Sequence, residues 1–389
     1  MTDPLRRKPG VDLRTRLRNV LQAAVRSEHL GPLPLNPLER LGSLDRDQWM
    51  ALAAYRGLVR QAFASRPLAP KVCADLWEGG AFRSSGDRKA FFSPARRELE
   101  TSSHHYGHDV QLKRHADLPL IGTPLPWLLE HGLKVSRTAT FESPRPWSRG
   151  YLCMGPRRAR WLQERFGQPA VAIGPWIAYA QPLLEADEIR RLRQELGPTL
   201  LVVLAHSWDE VERRMDRQAC IEAVAATATA SGYLSVIWLR HWKDPELAGL
   251  PPQWIVACNG HRSNPWFLDA MRTLLELSDG LASNAFGTHL GYGTALGKRL
   301  HWISVQAEQE LSGLSGDKRR EESLEWEERR RLSGELAAQL ARPGGQEAGA
   351  VQALLDPFWG FDRVRESSAL RELLVGRAGA AMADPPGER

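Results

Sequence analysis

From residue 151 onward, short apolar runs alternate with charged stretches whose apolar positions recur at helical spacing. Strands are expected at 170–173 (AVAI), 199–205 (TLLVVLA), 233–239 (YLSVIWL), 254–258 (WIVAC), 280–282 and 299–305. Helices are expected at 157–166, 184–196, 209–230, 266–277 and 288–296. The runs TLLVVLA and YLSVIWL are continuous rather than alternating, the pattern of strands covered on both faces. Strand and helix in strict succession predict an α/β fold, with a parallel sheet and helices on both faces. The two continuous runs should then be parallel neighbours, joined by a helical crossover.

The flanks are less regular. Residues 1–45 are rich in Pro and Arg, and 50–63 has helical spacing. Residues 80–117 are polar, carry four histidines between His104 and His115, and read as a long loop. The apolar stretch 118–129 is broken by Pro119, Pro124 and Pro126, and 127–132 reads as a short buried strand entering a turn. Toward the other end, 315–340 is a charge-laced helix, 342–345 (RPGG) a linker and 367–374 a last helix. The small-residue tail 376–389 reads as disordered. No internal repeat of 20–50 residues is present.

Composition narrows the class. Hydrophobic residues at 42% and charged residues at 25% fit a globular protein and exclude fibrous or wholly disordered chains. No apolar run is long enough for a transmembrane helix, and the first residues lack the apolar stretch of a signal peptide. Cys73, Cys153, Cys220 and Cys258 have no CxxC spacing, which disfavours a local zinc knuckle or compact disulfide scaffold and fits free thiols in a reducing cytoplasm. The net charge of +6 is modest and suits phosphate-bearing ligands. Its clearest cluster is Arg6, Arg7, Lys8, Arg14, Arg16 and Arg18, which reads as a solvated arm or a peripheral contact with an anionic membrane surface. A nucleic-acid partner is not expected.

Ligands of open parallel sheets bind beyond the carboxyl ends of the strands. Here those ends carry His206-Ser207, Arg240-His241, Asn259-Gly260-His261 and the segment Ser283-Asn284-Ala285-Phe286-Gly287-Thr288-His289-Leu290-Gly291-Tyr292. Four successive polar, histidine-bearing turns point to a site. The last segment is the most specific. Ser and Asn cap helices, Gly287 permits close approach of a ligand, and Thr288 offers a hydroxyl at a helix N-terminus suited to phosphate. Neither GxxxxGK[ST] nor a GxGxxG after a strand occurs, so P-loop and dinucleotide chemistry are not indicated.

The run LLELSDGLASNAFGTHLGYGTALGKRLHWI resembles the carboxy-terminal motif of nucleotide-dependent transferases with two facing Rossmann-like domains, the GT-B architecture, including the CDP-glycerol glycerophosphotransferases of teichoic-acid synthesis. It is more similar to proteins of bacterial capsule and surface-polysaccharide clusters that carry "SNxxGTHxGYxxxxGKP". Those also have a strand ending in "HS" (here His206-Ser207), an upstream "EHG" (Glu130-His131-Gly132) and a "GxP" turn before a Tyr (Gly174-Pro175, Tyr179). Arg299 stands where the motif has Pro, and the turn lacks its spacer.

The resemblance implies residues 118–182 completing an amino-terminal acceptor-side domain that also takes in 1–117, and 183–310 forming a nucleotide-binding domain, with helices at 311–375. It implies an inverting transfer of a sugar or polyol phosphate from a nucleotide-activated donor to a glycan or lipid-linked acceptor, in the cytoplasm or at the inner face of the membrane. No separate cofactor and no metal are expected. His131 is the candidate base. His206, Ser207, His241, Ser283, Asn284, Gly287, Thr288 and His289 are the candidate nucleotide and phosphate contacts. Two other readings remain open: a non-catalytic scaffold of a polysaccharide cluster, and a sugar-nucleotide epimerase using carboxylates such as Glu130, Asp209 and Asp244.

Overall fold

The computed structural model describes residues 106–376, apart from 120–124, 140, 142, 146–147, 208–210, 242–248, 260–263 and 346. The basic cluster at Arg6–Arg18, the helix expected at 50–63, Asp209, Asp244, His261 and the tail beyond 376 lie outside the described residues. Strands β1 (Leu128–Leu129), β2 (Tyr151–Cys153) and β3 (Ala170–Ala172) form one all-parallel sheet in that order. A second sheet is built from β4 (Thr199–Val203), β6 (Ser235–Leu239), β7 (Ile255–Ala257), β8 (Gly280–Ser283) and β9 (Arg299–Trp302). Its order is β7-β6-β4-β8-β9, again all parallel. The pairing of TLLVVLA with YLSVIWL is as the pattern predicts, with Leu201 opposite Ile237.

The period-two geometry of the buried strands divides the apolar side chains between two layers. Leu200 and Val202 of β4 face α4 (Arg217–Ser231) through Cys220, Ile221 and Val224. Leu201 faces the other way, into a core shared with α5 (Phe267–Glu276) and α6 (Thr288–Ala295). That core continues without a break to Leu129 and Leu152 of the small sheet. Strand order reverses beside β4. The chain moves outward from β4 to β6 and β7, then returns to β4's other side as β8 and β9. Loops leaving β4 and β8 therefore diverge at a switch point, where an open sheet has its natural crevice.

Two expectations are corrected. Residues 108–115 form helix α1 (His108–His115) rather than part of a loop. Its polar sequence hides the helix because tertiary bonds hold it. Gln111 Nε2 donates to Pro265 O (2.9 Å), and the Arg114 guanidinium takes both carboxylate oxygens of buried Asp269 at 2.8 Å. The helix expected from 209 begins only at Arg217, where the Asp216 side chain accepts the Ala219 N–H at 3.0 Å. The charged residues before it form β5 (Glu212–Arg214), antiparallel to β10 (Glu308–Glu310) in a separate two-stranded ribbon. Helix α8 (Ala348–Trp359) was not foreseen, nor was β2 as the central strand of its sheet.

The remaining helices are α2 (Pro156–Phe166), α3 (Ala186–Leu196), the 26-residue α7 (Gly316–Ala341) and α9 (Ser367–Val375). Helix α9 and the segment before it pack back onto the small-sheet region: Trp127 Nε1 donates to Leu373 O (3.1 Å), and Tyr179 Oη, itself donating to Ile173 O (2.6 Å), accepts the Arg365 N–H (3.0 Å). Among the described residues no helix is long and apolar enough to cross a membrane.

Candidate functional site

The carboxyl ends of β4, β6, β8 and β9 open into a cleft of about 1790 Å³. Opposite them stand His131 and the loop after β1, and α7 runs along one wall. His131 and His289 both line this cleft although nothing local brings them together. His131 packs against Phe141 with ring centroids 4.4 Å apart and lies 6.0 Å from Tyr106. Gly132 beside it has no room for a side chain, since a Cβ would come within 2.7 Å of the Phe141 ring.

Glu130 faces away from this chemistry. Its carboxylate is buried and receives Arg158 Nε at 2.6 Å and Nη2 at 2.9 Å, while its carbonyl accepts Trp176 Nε1 at 3.0 Å. This clamp fixes the turn that presents His131.

On the sheet side the motif residues divide into builders and presenters. Ser283 Oγ accepts the Ala285 N–H (3.1 Å) and lies 2.7 Å from His289 Nε2. Asn284 Oδ1 accepts the Ala205 N–H (2.8 Å) and its Nδ2 donates to Val305 O (3.0 Å), stapling the ends of β4 and β9 to β8. Ser207 Oγ accepts the Arg213 N–H at 2.9 Å and so joins β4 to the ribbon. These three side chains shape the cleft through internal bonds. What faces ligand space is the N-terminus of α6, with Gly287 as its cap and Thr288 in the first turn as expected. The Leu290 N–H donates to Gly287 O (3.1 Å), helix geometry leaves the Thr288 and His289 N–H groups without intrahelical acceptors, and the helix dipole favours an anion there. Gly287 has extended backbone, and the group closest to it is its own neighbour: a Cβ would fall 2.6 Å from His289 Cε1.

His206 and His241 stack face to face, with centroids 4.3 Å apart and planes 7° from parallel. The His206 ring is held by Nδ1 at 3.0 Å from Ser207 O. His289 is neutral. Burial, then the nearby His206 and Arg329, hold its pKa at about 3. A charged phosphate donor at His289 is therefore replaced by a neutral one. The unfolded imidazole, near ~6.5, binds protons that the folded one refuses. Stability from this site is complete above that value and falls as pH drops from it toward the folded pKa, at up to ~1.4 kcal/mol per pH unit. Urea unfolding at pH 7 and pH 5 should show a larger loss for the native protein than for His289→Asn. Equal losses would mean that the imidazole is solvated.

Several site residues escaped the sequence pattern because they lie in charge-laced segments. Arg213 comes from the ribbon. Arg329 of α7 donates to Phe286 O on the sheet side and to Leu133 O on the His131 side, and pairs with Glu325 at 2.8 Å. Buried Glu325 also accepts the Val135 and Ser136 N–H groups at 3.0 and 2.8 Å. One turn of α7 thus ties together the two walls of the cleft. Arg299 is exposed at the amino end of β9, and Lys298 Nζ donates to Ser278 O (2.8 Å), so the departure from the "GKP" motif lies remote from the cleft. Among the described residues no group of three or more His, Cys, Asp or Glu is placed to hold a metal ion.

Fold and cleft define a parallel α/β protein with a candidate ligand crevice at a topological switch point. No protein-family model matches the chain, and no curated protein matches it.

Proposed function

We propose that the protein is a nucleotide-dependent transferase of bacterial surface-polysaccharide synthesis, with residues 118–182 and 183–310 facing each other as the two halves of a GT-B-like architecture. The observation that carries the reading is the cleft at the switch point, where the first turn of α6 and arginine side chains oppose His131. In an inverting transfer, His131 takes the proton of the acceptor hydroxyl as its oxygen bonds to the transferred carbon. The bond from that carbon to the donor's diphosphate breaks, and its electron pair leaves with the diphosphate. The first-turn amides of α6 and neighbouring cations stabilise the charge that develops there. His206, His241 and His289 supply ring N–H groups around it. The acceptor, a glycan or lipid-linked glycan, enters from the His131 side. A nucleotide-activated donor places the reaction in the cytoplasm, and a lipid-linked acceptor would bring the protein to the inner face of the membrane.

No observation favours the other two readings. The Arg299 departure lies away from the cleft, and Glu130 is held by Arg158 rather than presented as an acid or base. Thermal melting with UDP, CDP, CMP and GDP tests the proposal. A nucleotide at 100 times its dissociation constant adds about 2.7 kcal/mol, a rise of several degrees. One of the four is expected to protect, and His131→Ala is expected to leave that protection intact. Protection by none, at millimolar concentration, rejects the transferase reading.

A further inference from the structure

Arg213 carries a charge into the cleft, and among the described residues no carboxylate forms an ion pair with it. The ribbon β5–β10 puts it there. Its register sets Arg213 opposite Gln309, while outside them Arg214 pairs with Glu212 (2.9 Å) and Glu310 (3.1 Å). The ribbon's acidic groups thus engage Arg214 and leave Arg213 to neutral acceptors. Gln309 Oε1 lies at 3.2 and 3.4 Å from its guanidinium, His206 O at 3.4 Å, and the Trp326 ring centroid at 5.0 Å. All three polar contacts are longer than the ~2.7–2.9 Å of a charge-assisted bond.

The nearest acids on α7 are already engaged. Glu325 holds Arg329, Val135 and Ser136, and Glu322 holds Lys134 Nζ at 2.8 Å. Burial, then the neighbouring Arg329, pull the Arg213 pKa down to about 10, while Glu322 and Glu325 pull the other way without offsetting them, so the surroundings stay short of negative charge. Arg240 adds to the shortage: it lines the same cleft beyond β6, and its Nε is buried without a hydrogen-bond partner. A guanidinium partly withdrawn from water without an ion-pair partner is destabilising, and an anionic ligand would relieve that cost.

We infer that Arg213 anchors a phosphoryl group bound between the β5–β10 ribbon and the first turn of α6. A planar guanidinium fork meets two oxygens of one face of such a group, and the amides of a helix N-terminus meet the others. A carboxylate has only two oxygens in one plane and cannot engage both. The transferase reading adds that this phosphoryl belongs to a nucleotide; the anchoring role of Arg213 rests on a guanidinium that lines the cleft without an ion pair among the described residues.

The test compares the native protein with Arg213→Met, using inorganic pyrophosphate, acetate and the nucleotides UDP, CDP and GDP as probes in low-salt thermal melts and calorimetric titrations. Without ligand, Arg213→Met should melt at the native temperature or a few degrees above it, because an unpaired cation has been removed. Pyrophosphate should protect the native protein and bind the variant about 10- to 100-fold more weakly, the effect of losing a charge-assisted contact. Acetate should protect neither. A ligand-free variant that melts well below the native protein overturns the inference, because Arg213 would then be a structural tie to Gln309 and His206. Equal pyrophosphate affinity in both proteins, or acetate protection matching that of pyrophosphate, also overturns it. Nucleotides that bind both proteins equally leave the transferase reading standing and this inference rejected. Arg213-dependent pyrophosphate binding with no nucleotide binding does the reverse.

Discussion

Arg158→Ala is expected to cost about 3–5 kcal/mol of folding free energy, enough to unfold a marginal domain at physiological temperature. The mutation leaves the Glu130 carboxylate, whose side chain is 2% exposed, without the two nitrogens that now hold it. It also leaves Ala139 O without its 2.9 Å bond from Arg158 Nη1. Replacing both partners with neutral residues of similar volume, as in Glu130→Gln with Arg158→Met, should recover much of the loss, since the cost comes from the stranded charge rather than from the missing bond. Urea unfolding of the two variants measures the difference. A double variant as unstable as Arg158→Ala would show that Arg158 acts through packing. The pair matters for function because Glu130 immediately precedes His131, so loosening it should blur the position of the candidate base before the fold is lost.

Trp359→Ala should likewise cost about 3–5 kcal/mol, the range for emptying a large aromatic from a core. Trp359 is fully buried where α8 crosses α6, and Gly291 provides the space: a Cβ there would lie 2.1 Å from the indole Nε1. Gly291→Val should therefore destabilise by a comparable amount, through overpacking and forced displacement of the ring. The two changes should be strongly non-additive, with Gly291→Val milder once the indole is gone. Denaturant unfolding of the four proteins of this cycle gives the coupling directly. Additive losses would show that helix and indole do not share that space. The glycine resembles part of a ligand-binding string in sequence, yet its contact is with a helix 68 residues away (359 − 291). Gly293, two residues on, similarly admits Leu281 at 2.7 Å.

How much of the site was legible can be argued from these residues. The turns after β4, β6 and β8 stood out because polar, histidine-bearing segments follow apolar runs, and His131, His206, His241 and His289 do meet in one cleft. Their individual parts were less legible. Ser283, Asn284 and Ser207 carry the residue types of ligand contacts, but their side chains are engaged with Ala285, Ala205, Val305 and Arg213. A sequence shows that a hydroxyl or amide is present; which acceptor it reaches depends on where the neighbouring strand ends lie. The neutrality of His289 is of the same kind, since it follows from burial and from two charged or polar neighbours distant in the chain.

The sequence by itself determined the strands β4, β6 and β8, the parallel pairing of β4 with β6 and the position of α6, because continuous apolar runs and helical spacing are local properties; the place of β8 on the other side of β4 came from the structure. Only the tertiary structure decided that the charged segment 212–214 is a strand, that polar 108–115 is a helix, and that Arg213, Glu325 and Arg329 belong to the cleft. Local periodicity records how a segment buries its own apolar face. It carries no record of a charge whose partner, such as the Val135 amide for Glu325 or Asp269 for Arg114, comes from another part of the chain.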